Sequence, residues 1–258
     1  MRILVTGSSG FIGSRLVEHL RSQGHEVHEY DIRSSLKFPA EKVDLVYHLA
    51  SHVNAFASVA EPNQALENVE ILYKVLEWMR MSGSLGIIFS SSREVYSGCN
   101  PYGASKVAGE AFIRAYCQAY GMAGVSARLA NVYGPGNLGH RFIEATIMQA
   151  RNGDKIKVYG GHEKVLNFLY IDDAVAQLAQ CVEFLRPTHN KVVDLAFPVS
   201  YSLPEVAEII MAKVGSASEL EFLPNRRGET MRYVPKTVIF TPTVTLEEGI
   251  DKCIASLS

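Results

Sequence analysis

A short apolar strand running straight into three glycines at intervals of three constrains this chain more than any other feature. Ile3-Leu4-Val5-Thr6 leads into Gly7, Gly10 and Gly13, where amphipathic periodicity begins. The spacing gives the glycines distinct roles, which are a tight turn, a close approach of backbone to ligand, and intimate helix–strand contact. Downstream, short apolar runs alternate with helical periodicity, the pattern of βαβ units laid into a parallel sheet. It predicts strands near 2–6, 26–30, 43–49, 86–91 and 123–130, with helices near 11–23, 63–82 and 101–120. The first apolar run is too short to be a leader's apolar core or a membrane span.

Composition narrows the function classes. With 258 residues and 47% hydrophobic content, the chain can bury one α/β core and a small lobe. Beyond Val132 the punctuation changes to Gly134-Pro135-Gly136-Asn137, a helix near 140–152, and shorter elements. We therefore expect a dinucleotide-binding region over 1–132 carrying the chemical residues. Residues 133–258 should be mostly a substrate lobe, with some segments returning to the first region. A formal net charge of −2 offers no field for a nucleic acid or an anionic membrane. Cys99, Cys117, Cys181 and Cys253 lack the spacing of a zinc site or disulfide framework, so no metal and a cytoplasmic setting are expected.

The second strand, 26–30, ends in Asp31 at the interval where a carboxylate meets the ribose of an adenosine. Its charge repels a 2′-phosphate, so NAD is expected rather than NADP, with Arg33 nearby acting against that preference. A second constellation follows the strand 86–91. Ser90, Ser91 and Ser92 end it, and Tyr102 and Lys106 stand four apart at the head of a helix, on one face. A tyrosine of pKa near 10 is a poor base at neutral pH, and an adjacent ammonium favours its phenolate. Tyr102 would then take a hydroxyl proton as hydride leaves the same carbon, with Ser92 holding the oxygen. Taken alone, each piece is an ordinary helix or turn residue; the chain order behind the glycine motif gives the set its weight.

These residues together resemble the extended short-chain dehydrogenase/reductases, specifically the NAD-dependent epimerase/dehydratase family. The likeness extends to His48-Leu49-Ala50, Asn68-Val69, the run from Arg128 to Gly136, Tyr170-Ile171-Asp172-Asp173, and Arg226 ahead of Arg227-Gly228-Glu229. It implies a Rossmann-like doubly wound parallel sheet with a small C-terminal α/β substrate lobe. Gly7, Gly10, Phe11, Ile12, Gly13, Asp31, Arg33, Leu49, Ala50, Ser51, Asn68, Ser90, Tyr102 and Lys106 would meet the cofactor. Ser92, Asn131 and Arg226 would meet the substrate, by this likeness a nucleotide-diphosphate sugar oxidised transiently to a keto form. A homodimer through the helices near 63–82 and 101–120 is likewise implied.

Three departures stand out: the segment between Asp31 and His48 is short, the loop from Tyr96 to Tyr102 is short, and Leu166 replaces an expected arginine. Glu94 stands where the family's dehydratases and decarboxylases carry a glutamate, whereas Arg93 replaces the dehydratases' aspartate. Catalytic residues are therefore expected to be Ser92, Tyr102, Lys106 and Glu94, with a salt bridge as the competing role for Glu94. The leading expectation is an NAD-dependent epimerase acting at C4. The alternatives are a dehydratase or decarboxylase using Glu94, a keto-sugar or carbonyl reductase, and a non-catalytic dinucleotide sensor. His48 and His52 read as packed or hydrogen-bonded residues rather than metal ligands, Trp78 as core or interface packing, and Cys99 as exposed without nucleophilic activation.

Overall fold

The computed structural model describes residues 1–31, 38–137 and 141–257. In chain order the elements open with β1 (Arg2–Thr6), α1 (Phe11–Ser22), β2 (Glu26–Tyr30), β3 (Leu45–His48), α2 (Ala55–Ala60), α3 (Asn63–Ser82) and β4 (Gly86–Ser92). A 3₁₀ turn, Arg93–Tyr96, leads to α4 (Pro101–Tyr120), β5 (Ala123–Leu129), β6 (Asn131–Tyr133), α5 (Phe142–Asn152), β7 (Ile156–Tyr159) and β8 (Val165–Tyr170). The chain closes with α6 (Ile171–Gln180), β9 (Asn190–Leu195), β10 (Ser200–Ser202), α7 (Leu203–Val214), β11 (Leu220–Leu223) and α8 (Leu246–Ser256). Two compact units result: Met1–Leu129 with Val175–Leu195, and Ala130–Ala174 with Ala196–Ser258.

In the first unit a wholly parallel sheet runs β2-β1-β3-β4-β5-β9. Its central strands carry uninterrupted apolar stretches, Ile3-Leu4-Val5, Leu45-Val46-Tyr47 and Ile87-Ile88-Phe89, because both faces are covered. Leu4, Val46 and Ile87 stand in register on one face and pack with Leu72, Val75, Leu76 and Met79 of α3 and Ile113 and Cys117 of α4. The familiar doubly wound order places two strands outside the first one. Among the described residues β2 is the edge of this sheet. Trp78 is a packing residue, as expected: its ring stacks on Phe38, which stacks on Tyr30, and its Nε1 donates to Pro39 O.

The second unit contains a three-stranded sheet, β10-β8-β6, and the parallel pair β11-β7. Asn167 of β8 is fully buried and knits that unit together, donating to Phe197 O and Val199 O and accepting from Phe197 N. Asp173, also buried, accepts from the amides of Thr243 and Val244 and from the Thr243 hydroxyl. Both α7 and α8 begin with capping boxes, Ser202 with Glu205 and Thr245 with Glu248.

Candidate active site

At the end of β1 the backbone turns through Gly7 at φ +72°, and a Cβ there would lie 2.7 Å from Ala50 N. A Cβ on Gly13 would run into the Gly7 carbonyl oxygen, so α1 can come this close to the turn only with glycine at its third position. Gly10 is the N-cap of α1 and supplies no side-chain cap, and the first turn contains no acidic residue. The amides opening α1, those of Phe11, Ile12 and Gly13, are thus available to an anion in the favourable field of the helix terminus. The loop is tied to β2 by Gly7 N and Ser8 N, which donate to Tyr30 O at 2.8 and 3.4 Å. Immediately after β2, Asp31 is buried and accepts a hydrogen bond from Ser9 Oγ. A glycine cradle, an uncapped helix terminus and a buried carboxylate at the second strand's end together fit a dinucleotide. Arg33 lies outside the described residues.

The exit of β3 forms a further wall. Ala50 N donates to Thr6 Oγ1, which shares a 2.8 Å hydrogen bond with His48 Nδ1. His48 is packed, as expected from sequence; burial and, second, the charge of Lys106 lower its pKa to about 3, so it stays neutral. The Ser51 hydroxyl bonds His52 O, while Asn68 of α3 grips the His52 backbone, accepting from its N–H at 2.7 Å and donating to its carbonyl at 3.1 Å. Asn68 Nδ2 also reaches Ser105 Oγ of α4 at 3.3 Å. Its amide thus positions the loop Leu49–His52 and the head of α4 alike.

Tyr102, Lys106, Ser92 and Glu94 converge where β4 hands over to α4, and all four are buried. Lys106 Nζ donates to Ser90 O at 2.8 Å and lies 5.6 Å from the Tyr102 ring centroid and 4.9 Å from that of Phe89. Burial lowers the Lys106 ammonium to about pKa 7. A developing phenolate on Tyr102 would offset that cost by supplying the missing negative charge. Helix α4 starts where it does because Asn100 caps it, accepting from Gly103 N at 2.7 Å, with Pro101 at the first helical position. The Tyr102 amide, one of the helix's orphan donors, is taken by Ser58 Oγ of α2 at 3.2 Å. Ser58 is buried and was not singled out from sequence; the six-residue helix that presents it, opened by an Asn54 cap, was its only local signal.

Glu94 is enclosed. Its Oε1 lies 2.8 Å from Arg93 NH2, and its Oε2 accepts from Asn100 Nδ2 at 2.8 Å and Ser97 Oγ at 3.3 Å. Gly103 packs against it so closely that a Cβ there would sit 2.7 Å from Glu94 O. Ser92 Oγ accepts from Glu94 N at 3.2 Å, which leaves its hydroxyl proton to give. Cys99 is exposed.

Asn131 and Arg226 belong to the second unit. Asn131 Nδ2 donates to Asn167 O at 2.8 Å. The Arg226 guanidinium lies 4.0 Å over the Tyr159 ring and its Nε is 3.6 Å from Glu229. Leu166, in place of the expected arginine, is buried, and Lys164 two residues before it bonds Asn225 and Glu229.

A model of the NAD dependent epimerase/dehydratase family matches residues 3–196. UDP-glucuronic acid decarboxylase 1 of Xenopus tropicalis is 29% identical over 98% of this chain and 71% of its own. UDP-glucose 4-epimerase of Mycolicibacterium smegmatis is 28% identical over 98% of this chain and 97% of its own. These alignments run over 308 and 309 positions against 258 residues here, so the relatives carry segments with no counterpart in this chain. The solved UDP-glucose 4-epimerase of Thermus thermophilus in complex with NAD superposes with a TM-score of 0.86 at 26% identity, covering 99% of this chain and 98% of that one. With its parallel sheet, glycine cradle and buried tyrosine–lysine pair, the chain belongs to the NAD-dependent epimerase/dehydratase family, and NAD is its cofactor.

Proposed function

We propose that this chain is an NAD-dependent epimerase of nucleotide-diphosphate sugars, inverting a hydroxyl-bearing carbon, C4 by expectation, through a transient keto-sugar. The carrying observation is the enclosure of Glu94. A dehydratase or decarboxylase would need this residue to move a proton or act on a group beside the new carbonyl. Held by Arg93, Asn100 and Ser97, its carboxylate is a buried, fixed acceptor. The 4-epimerases of M. smegmatis and T. thermophilus are among the proteins this chain resembles, as is the UDP-glucuronic acid decarboxylase of X. tropicalis.

Bound NAD supplies a two-electron acceptor that returns what it takes. Tyr102, as phenolate, removes the sugar hydroxyl proton and hands it back after the sugar presents its other face. Ser92 donates to the same oxygen, stabilising the charge that develops there. Lys106, fixed by Ser90 O, would favour the ionised form of Tyr102 and would help hold the cofactor. Arg226, stacked on Tyr159, is the proposed diphosphate contact. Leu66 and Tyr73, seven apart on α3, and Val107 and Phe112 of α4 expose apolar surface that a homodimer would bury.

Purified protein incubated with NAD and a panel of UDP-, GDP-, dTDP- and CDP-sugars tests the assignment by mass spectrometry and NMR. A product of unchanged mass and inverted configuration, with no net NADH, is expected. Loss of water or carbon dioxide would transfer the assignment to chemistry assisted by Glu94, and stoichiometric NADH consumption to a reductase.

A further inference from the structure

We propose that Glu110 and Arg128 are positioning residues that fix the register of α4, and with it Tyr102 and Lys106, against the end of β4. The inference rests on Tyr102 and Lys106 being the reacting pair. Glu110 is the next member of their helical stripe, after 102 and 106, and reaches the neighbouring residue of the serine run: Lys106 bonds Ser90 O, and Glu110 Oε1 accepts from Ser91 Oγ at 2.6 Å.

Arg128 of β5 meets Glu110 as a two-pronged fork, Nε to Oε1 at 2.8 Å and NH2 to Oε2 at 2.7 Å, with both side chains mostly withdrawn from water. Ser91, Arg128 and Asp194 stand in register across β4, β5 and β9, so the fork closes a polar row spanning three strands. The same guanidinium lies 4.7 Å from the Tyr96 ring centroid, and Tyr96 OH donates to Asp194 at 2.9 Å. The turn carrying Glu94 is thereby anchored to the same row. Gly109 permits the approach, since a Cβ there would come within 2.6 Å of the Phe89 ring.

Lys106 Nζ on Ser90 O and Asn190 Nδ2 on the Glu110 carbonyl also tie α4 to the sheet, each by a single bond, while the apolar contacts around them tolerate sliding, so a two-pronged pair adds alignment that these lack. One residue of helical slippage displaces Tyr102 by about 1.5 Å and rotates it. A bidentate carboxylate–guanidinium pair permits one alignment, and a buried pair contributes registry more readily than net stability.

Two variants test this: Arg128→Lys, which keeps the charge and loses the fork, and the double variant Glu110→Met/Arg128→Met, which removes both charges. The Met pair is expected to melt close to wild type. In both variants kcat should fall, by on the order of 10²-fold for a displacement near 1 Å, with KM little changed. In NAD-loaded protein carrying ¹³Cζ-tyrosine, assigned through Tyr102→Phe, the Tyr102 resonance should move from its wild-type position. Wild-type kcat and an unmoved Tyr102 resonance would overturn the proposal and leave the pair a stabilising contact only. If the Met pair does not fold, Arg128→Lys decides. If the wild type turns over no sugar nucleotide, the epimerase reading fails, while the Tyr102 resonance still judges the lock.

Discussion

Lys106→Met should stabilise the cofactor-free protein while abolishing its chemistry. The Lys106 ammonium is buried, and burial lowers its pKa from 10.5 to about 7. Between those values the unfolded chain binds a proton that the native state does not, so native stability must rise with pH across that window. Above the unfolded pKa the group costs nothing. As pH falls through the native pKa the full penalty is reached, on the order of 5 kcal/mol for a shift of this size. From pH 7 to 8.5 the wild type should gain on the order of 1–2 kcal/mol from this group, or roughly 2–8 °C in Tm for a chain of this length.

Other groups occupy different windows. His48, lowered to about 3, titrates below pH 6.5, and the buried thiols of Cys117, Cys181 and Cys253, raised by burial, begin to oppose stability only near pH 9. Urea denaturation of wild type and Lys106→Met between pH 7 and 8.5 therefore isolates the effect. The difference should be largest at pH 7 and shrink as pH rises. Parallel stabilities across this range would refute the claim that the ammonium is held against its desolvation cost.

Gly13→Ala would drive a methyl group into the Gly7 carbonyl and push α1 away from the turn; overpacking of about 1–3 kcal/mol predicts a five- to hundredfold weaker NAD affinity by calorimetry, and an unchanged Kd would contradict the cradle. Asp173→Ala removes three hydrogen bonds to residues 243 and 244 and should destabilise by about 3 kcal/mol or more, read from a urea midpoint shifted without a changed slope. Glu94→Gln keeps the Asn100 and Ser97 bonds possible and should leave epimerisation largely intact; loss of product with hydride exchange preserved would instead assign Glu94 a proton-transfer role.

The sequence by itself determined whatever depends on neighbours along the chain. Gly7, Gly10 and Gly13 are legible because a turn of this tightness excludes side chains wherever it occurs, and Asp31 because it ends the next strand. Tyr102 and Lys106 are legible because helical geometry alone puts them on one face. The predicted strands and helices of the first unit match to within two residues for the same reason, periodicity being local. Only the tertiary structure decided that β2 is the edge among the described residues, that β9 returns from beyond residue 175 to extend the first sheet, and that Ser58 takes the Tyr102 amide. It also decided that Glu94 is enclosed and that Ser91, Glu110, Arg128 and Asp194 form one row, although they come from four elements. Such polar contacts join residues far apart in the chain, and no spacing encodes them: a carboxylate or guanidinium reads as a solvated charge until folding removes its water and selects its partner.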